Sequence, residues 1–146
     1  MKAQQVLDVI IKPTLTEMNC NNYDLRMLLL TTYLIDGESF NISDESIVNV
    51  ARNWNGYAKA TETVRKISNI YDYGVTIIEE CRVNKRLSCL IACGIYSMPN
   101  TRLPAFDDKR GIYDYYRKVY DNSESACNWS SFCQLWKRYG LDEVGL

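Results

Sequence analysis

The chain has 146 residues, a net charge of −1 and 47% apolar residues, a composition typical of an ordinary globular domain. Lysine and arginine are scattered along the chain, some of them in pairs, and form no stripe, which argues against a nucleic-acid partner. No apolar run approaches the roughly 18 residues of a membrane-spanning helix, and the N-terminus lacks the apolar stretch of a signal peptide. We therefore expect one domain over residues 1–146, with no membrane partner.

Apolar residues recur at helical spacing along the chain, and strand-like alternation is hard to find. The first predicted helix runs from Ala3 to Met18. Pro13 should kink or restart it, because proline lacks an amide donor and clashes with the preceding turn. Asn22 is a good N-cap and Gly37 a good stop for a second helix. This second helix is apolar on most sides, so we expect it to be the buried central one.

The middle of the chain continues the helical pattern. Ser43, followed by two acids, indicates the start of a third helix, whose apolar face reaches Trp54. Residues 57–71 keep the same spacing, residues 72–74 should break that helix, and residues 75–81 should start a short one.

The last third of the chain predicts three more helical segments. Residues 87–95 form an apolar helix, residues 99–108 contain two prolines and indicate an ordered loop, and residues 112–120 mark the next helix. Asn128 should cap the last helix and Gly140 should stop it. The prediction is a mainly α protein of about seven or eight short helices, arranged as a globular array rather than a four-helix bundle.

Gly94 lies inside the apolar helix of residues 87–95 and has two interpretations. The absence of a side chain would permit another helix to approach closely at this point. Alternatively, the glycine is merely tolerated within the helix.

Six cysteines are present and histidine is absent. Without an export signal, the cysteines should be reduced thiols. Cys81, Cys89 and Cys93 could in principle hold a metal, but there is no histidine and no C-x-x-C pair. We therefore expect small apolar core residues, with no metal and no cofactor.

Carboxylate chemistry is what remains for catalysis, because the lack of histidine excludes Ser-His-Asp and Cys-His nucleophile systems. Asp36 and Glu38 lie at the end of the most apolar predicted helix. A carboxyl group against an apolar core has a raised pKa and can serve as a general acid. The alternative is structural, since acids and glycine are common at helix ends.

The tyrosine-rich segment 113–120 could contact a sugar or a partner protein, although its ring spacing first predicts packing on one helix face. Tyr115 is the ring expected to face outward. With Trp54, it is our candidate for substrate or partner contacts.

Five short segments occur in a distinctive order: an Ile-Lys-Pro turn, a Leu-Leu-Leu-Thr-Thr run, a small-residue helix leading to a proline loop and two acids, a Tyr-Tyr-Arg-Lys segment, and a final Lys-Arg-Tyr. They occupy residues 11–15, 28–32, 90–108, 115–122 and 137–139. In this order the chain resembles tailed-bacteriophage proteins with a lysozyme-like domain, related to lytic transglycosylases and goose-type lysozymes. The resemblance implies a lysozyme-like helical fold.

The resemblance also indicates where a catalytic acid would lie. The family's Glu-Ser pair falls on Asp36 in gapless register and on Glu38 after a two-residue insertion. Residues 38–41 are similar to the transglycosylase Glu-Ser-x-Phe-Asn signature. The family's Gly-Leu-x-Gln stretch is absent, and residues 53–56 are the nearest equivalent. An acid cleaves a glycan only when the sugar is held against it, so the missing stretch favours a degenerate site.

Three functional hypotheses follow from the resemblance. The first is a virion or assembly protein that keeps a lysozyme-like fold without activity and associates with itself or with other virion proteins. The second is an active muramidase or lytic transglycosylase that uses Glu38, or Asp36 in the other register, on peptidoglycan. The third is a small phage protein that binds a host factor. They place the chain in a virion or in the host cytoplasm.

Overall fold

A computed structural model describes residues 2–58, 60, 62, 77–120 and 127–146. The described residues form helices and no strand, which confirms the predicted mainly α class. Helix α1 is made of three consecutive stretches, Ala3–Val6, Leu7–Ile11 and Lys12–Glu17. It is followed by α2 (Tyr23–Ile35), α3 (Asp44–Asn53), α4 (Ile77–Val83) and α5 (Lys85–Ser97). The last helices are α6 (Lys109–Tyr115, continued by Tyr116–Tyr120) and α7 (Trp129–Arg138), and a 3₁₀ turn follows at Leu141–Glu143.

One predicted region falls largely outside the described residues. Of the pattern at residues 57–71, residues 57, 58, 60 and 62 are described and helical. The predicted break at residues 72–74 and the first two residues of the short helix lie outside the described part. No helix within the described ranges combines the length and apolarity that a membrane crossing requires.

Pro13 perturbs α1 without ending it. The stretch Leu7–Ile11, just before the proline, is π-helical, and the helix then continues as Lys12–Glu17. A proline has no amide hydrogen and crowds the carbonyl four residues earlier, and the wider π-turn accommodates both effects. The Thr14 hydroxyl donates to the Ile10 carbonyl oxygen at 2.6 Å, which satisfies one acceptor in this turn.

Helix α2 is the central helix of the fold, as predicted. The Asn22 side chain accepts a hydrogen bond from the Leu25 amide at 3.1 Å and so caps its first turn. Gly37 follows its end with φ of +72°, a left-handed conformation that glycine adopts without strain. Between these ends, nine of its residues are buried, including Thr31 and Thr32.

Helix α5 joins two apolar clusters. On one side Cys89, Cys93 and Tyr96 pack with α1, α2, α6 and α7. On the other, Leu87 and Leu90 pack with α3 and α4. Asn84 caps the start of this helix, because its side chain accepts hydrogen bonds from the amides of Arg86 and Leu87.

Gly94 allows α3 to approach α5 closely, which decides between the two interpretations. A Cβ atom at this position would lie 2.7 Å from Val50 Cγ1 and 2.8 Å from Trp54 Cε3. Real side chains do not approach this closely, so the lack of one at Gly94 is a packing requirement.

Three of the six cysteines are core thiols, as expected, and the other three are partly exposed. Cys81, Cys89 and Cys93 are buried, and none of the six cysteines forms a disulfide. Burial raises the pKa of the Cys89 thiol and raises that of Cys93 to about 12. Among the described residues, no group of three or more cysteine and acidic side chains is arranged to hold a metal ion.

Candidate functional site

The two candidate acids lie in the turn that follows α2. Gly37 and Glu38 both have left-handed backbone conformations, with φ of +72° and +65°. Such a conformation is uncommon for glutamate. The Ser39 amide donates to the Tyr33 carbonyl oxygen at 3.1 Å and closes the turn. The chain therefore doubles back within three residues, and the acids on either side of Gly37 reach different surroundings.

Glu38 lines a cleft of about 430 Å³ between the end of α2 and the first turns of α3 and α5. This volume is within the range of small-molecule sites. The floor is apolar and includes Phe40 and Ile47. The charged and hydroxyl-bearing lining residues include Tyr33, Glu38, Asp44, Arg82, Lys85 and Ser88.

The cations of this cleft already have partners. The Lys85 ammonium donates to the Tyr33 hydroxyl at 3.0 Å and lies 5.7 Å from the centre of the same ring. Arg82 Nη2 lies 2.9 Å from Asp44 Oδ1, and both side chains are more than half exposed. An exposed pair of this kind contributes at most about 1 kcal/mol, so it links α4 to α3 only weakly.

The Glu38 carboxylate is held in its ionised form. A hydrogen bond from the amino-terminal ammonium group is the largest cause that lowers its pKa, and the charge of Lys85 lowers it further. A general acid in a glycan-cleaving site needs the opposite shift, because it must carry a proton near neutral pH. The apolar floor below Glu38 does not reverse the effect of the two cations.

Asp36 lies outside the lining of the cleft and interacts electrostatically with Tyr96 and Tyr120. Burial is the main cause that raises the pKa of both tyrosines, and the negative charge of Asp36 adds to it. The Tyr96 hydroxyl is 2.6 Å from the Thr32 hydroxyl, and the Tyr120 hydroxyl donates to the Phe40 carbonyl. The negative charge of Asp36 therefore acts on two buried, hydrogen-bonded phenols, and Asp36 is not among the residues that line the cleft.

The two candidate contact residues lie elsewhere. Trp54 follows the last turn of α3, is partly buried and packs over Gly94. Tyr115 is half-buried, with its ring centre 5.9 Å from that of Tyr96 and its hydroxyl 2.8 Å from that of Thr101. The expectation that Tyr115 faces outward is therefore wrong, because Tyr96 of α5 stacks on it. Neither residue lines the cleft at Glu38.

The cleft also contains residues that sequence reasoning did not select. Arg82, Lys85 and Ser88 come from α4 and α5, more than 40 residues after Glu38 in the chain. Charged pairs such as Lys85-Arg86 are typical of solvated helix faces, so only the packing of α5 against the turn indicates their place.

The arrangement binds polar groups more readily than it transfers protons. It offers hydroxyls, paired cations and an ionised carboxylate, while the Cys81 thiol at its floor has a pKa raised mainly by burial and is a poor nucleophile. No family model, curated protein or solved structure matches this chain.

Proposed function

We propose that this chain is a bacteriophage virion or assembly protein whose helical domain derives from a lysozyme-like enzyme and no longer cleaves glycan. The order of its five short segments supports the phage relationship. The state of Glu38 carries the loss of activity, because the better placed of the two acids is held ionised by cations.

The lowered pKa of Glu38 limits its use as a general acid. The amino-terminal ammonium group and Lys85 both lower its pKa, so the carboxyl group is ionised at neutral pH. General acid catalysis works best when the acid has a pKa near the operating pH. Glu38 therefore supplies the transferable proton rarely, and Asp36 is not among the residues that line the cleft.

The missing Gly-Leu-x-Gln stretch supports the same conclusion. The residues nearest to it in sequence, 53–56, include Trp54, which packs against Gly94 at the contact of α3 with α5. A side chain used to hold two helices together is not available to orient a sugar against an acid. Positioning contributes as much to such reactions as the acid itself.

Detection of the chain in purified virus particles tests this proposal. We expect an antibody or mass spectrometry to find it in particles or in assembly intermediates of the phage that encodes it, in a constant ratio to the other structural proteins. A chain found free in infected cells and missing from both preparations would contradict the proposal.

A further inference from the structure

The Gln4 side chain, near the start of α1, pairs with the peptide backbone at Gly145, 141 residues further along the chain. Its Oε1 atom accepts a hydrogen bond from the Gly145 amide at 2.8 Å, and its Nε2 atom donates to the Gly145 carbonyl oxygen at 3.1 Å. Paired residues of antiparallel strands exchange two hydrogen bonds in the same way. A single side chain therefore satisfies both backbone groups of Gly145.

Residues 144–146, which we call the latch, lie at the surface of the fold. Arg26 of α2 donates from Nη1 to the Leu146 carbonyl oxygen. The side chains of Val144 and Leu146 pack against the apolar cluster of α1, α2 and α7 but are only partly buried, and Gly145 is exposed. Segments that are held by exposed hydrogen bonds and few buried apolar contacts open at a lower free energy than the core.

The chain is anchored more firmly just before the latch. Leu141 is 1% exposed, and the Trp136 indole donates from Nε1 to the Asp142 carboxylate at 2.9 Å. Val144 then continues in an extended conformation, with φ of −71° and ψ of 144°. The boundary between the anchored part and the surface part of this segment therefore lies between residues 142 and 144.

We propose that the latch opens as a unit while the rest of the fold stays intact, and that Gln4 holds it closed. Gln4 and Val144 both line a cleft of about 670 Å³ between the start of α1 and the end of α7. When the latch opens, Val144 leaves the wall of this cleft and both bonds between Gln4 and Gly145 are broken. The latch therefore links access to this cleft with the pairing of one side chain.

Native-state hydrogen exchange of the full chain, measured by NMR, tests the inference. In wild type we expect the Gly145 amide to be protected, and its exchange rate to stay constant in low urea that accelerates exchange at buried Leu29 of α2. Gln4→Met keeps a long, helix-favouring side chain but removes both bonds, so the protection of Gly145 should fall about tenfold or more. Gln134→Met makes the same change at an exposed position of α7 and serves as the matched control.

Three results would overturn the inference. They are a wild-type Gly145 amide that exchanges at the unprotected rate, exchange at Gly145 and Leu29 that responds equally to urea, and protection at Gly145 that is unchanged in folded Gln4→Met or falls as much in the control. If Gln4→Met does not fold, Gln4→Asn decides, because it keeps the amide but is one methylene shorter: unchanged protection at Gly145 then refutes the role of Gln4. Gln4 and the latch do not line the cleft at Glu38, so failure here leaves the question of glycan cleavage untouched.

Discussion

Replacing Gly94 by alanine tests the close packing of α3 against α5. An alanine inside a helix is more favourable than glycine by about 1 kcal/mol, so propensity alone predicts stabilisation. The structure predicts the reverse, because the new methyl group would lie 2.7 Å from Val50 Cγ1 and 2.8 Å from the Trp54 ring. Val50 is fully buried and cannot turn away into solvent.

The magnitude follows from the two opposing contributions. Inserting a methyl group into a well-packed core costs about 1–3 kcal/mol. Two rigid side chains are within 3.0 Å of the added atom, which points to the upper half of that range. After the gain in helix propensity of about 1 kcal/mol is subtracted, the free energy of unfolding should fall by about 1–2 kcal/mol.

Urea unfolding followed by circular dichroism measures this change. Asn49 in α3 provides the matched control, since it is exposed and within a helix, and the difference between Asn49→Gly and Asn49→Ala reports propensity without crowding. In a Val50→Ala background the cost of Gly94→Ala should shrink by about 0.5–1 kcal/mol, because one of the two contacts is removed. A Gly94→Ala variant stabilised as much as the control pair predicts would refute the reasoning.

Two further predictions concern protonation. The pKa of Glu38 is lower in the folded protein than its ordinary value of 4.5, so the ionised carboxylate stabilises the fold at any pH above 4.5. This stabilisation is lost as the pH falls through the pKa of the folded protein. Wild type and Glu38→Gln should thus differ in urea midpoint at neutral pH, and the difference should shrink as the pH falls below 4.5; a difference that grows on acidification would contradict the assignment. For the thiols, Ellman's reagent at about pH 8 should react quickly with the partly exposed Cys20, Cys127 and Cys133, and with the buried Cys81, Cys89 and Cys93 only after unfolding. A single rate for all six would show that the core is open.

The helices could be predicted where local chemistry specifies them. Residue type and position predict caps at Asn22, Ser43 and Asn128, and each accepts a hydrogen bond from an amide of the first turn. Pro13 predicted a perturbation of α1, but the form that it takes, a π-turn before the proline, depends on the packing of the whole helix.

The candidate site was less predictable because it depends on distant parts of the chain. The proximity of Glu38 to an apolar helix predicted a raised pKa, whereas the structure places cations beside it and lowers the pKa. The charge of Lys85 acts on Glu38 only because α5 packs near the turn that holds Glu38. The left-handed backbone conformation of Glu38 cannot be predicted from the residue type, because glutamate rarely adopts it. Helical spacing alone predicts an outward-facing Tyr115, because it does not show that the Tyr96 ring stacks on it.

Digestion of purified peptidoglycan tests the central claim that this domain does not cleave glycan. Wild type, Glu38→Gln and Asp36→Asn are incubated with it between about pH 4 and 8, the range in which carboxyl acids work, and soluble muropeptides are quantified beside an active lysozyme. We expect no release above the blank from any of the three folded proteins. Release by wild type that Glu38→Gln or Asp36→Asn abolishes would contradict it and identify the catalytic acid.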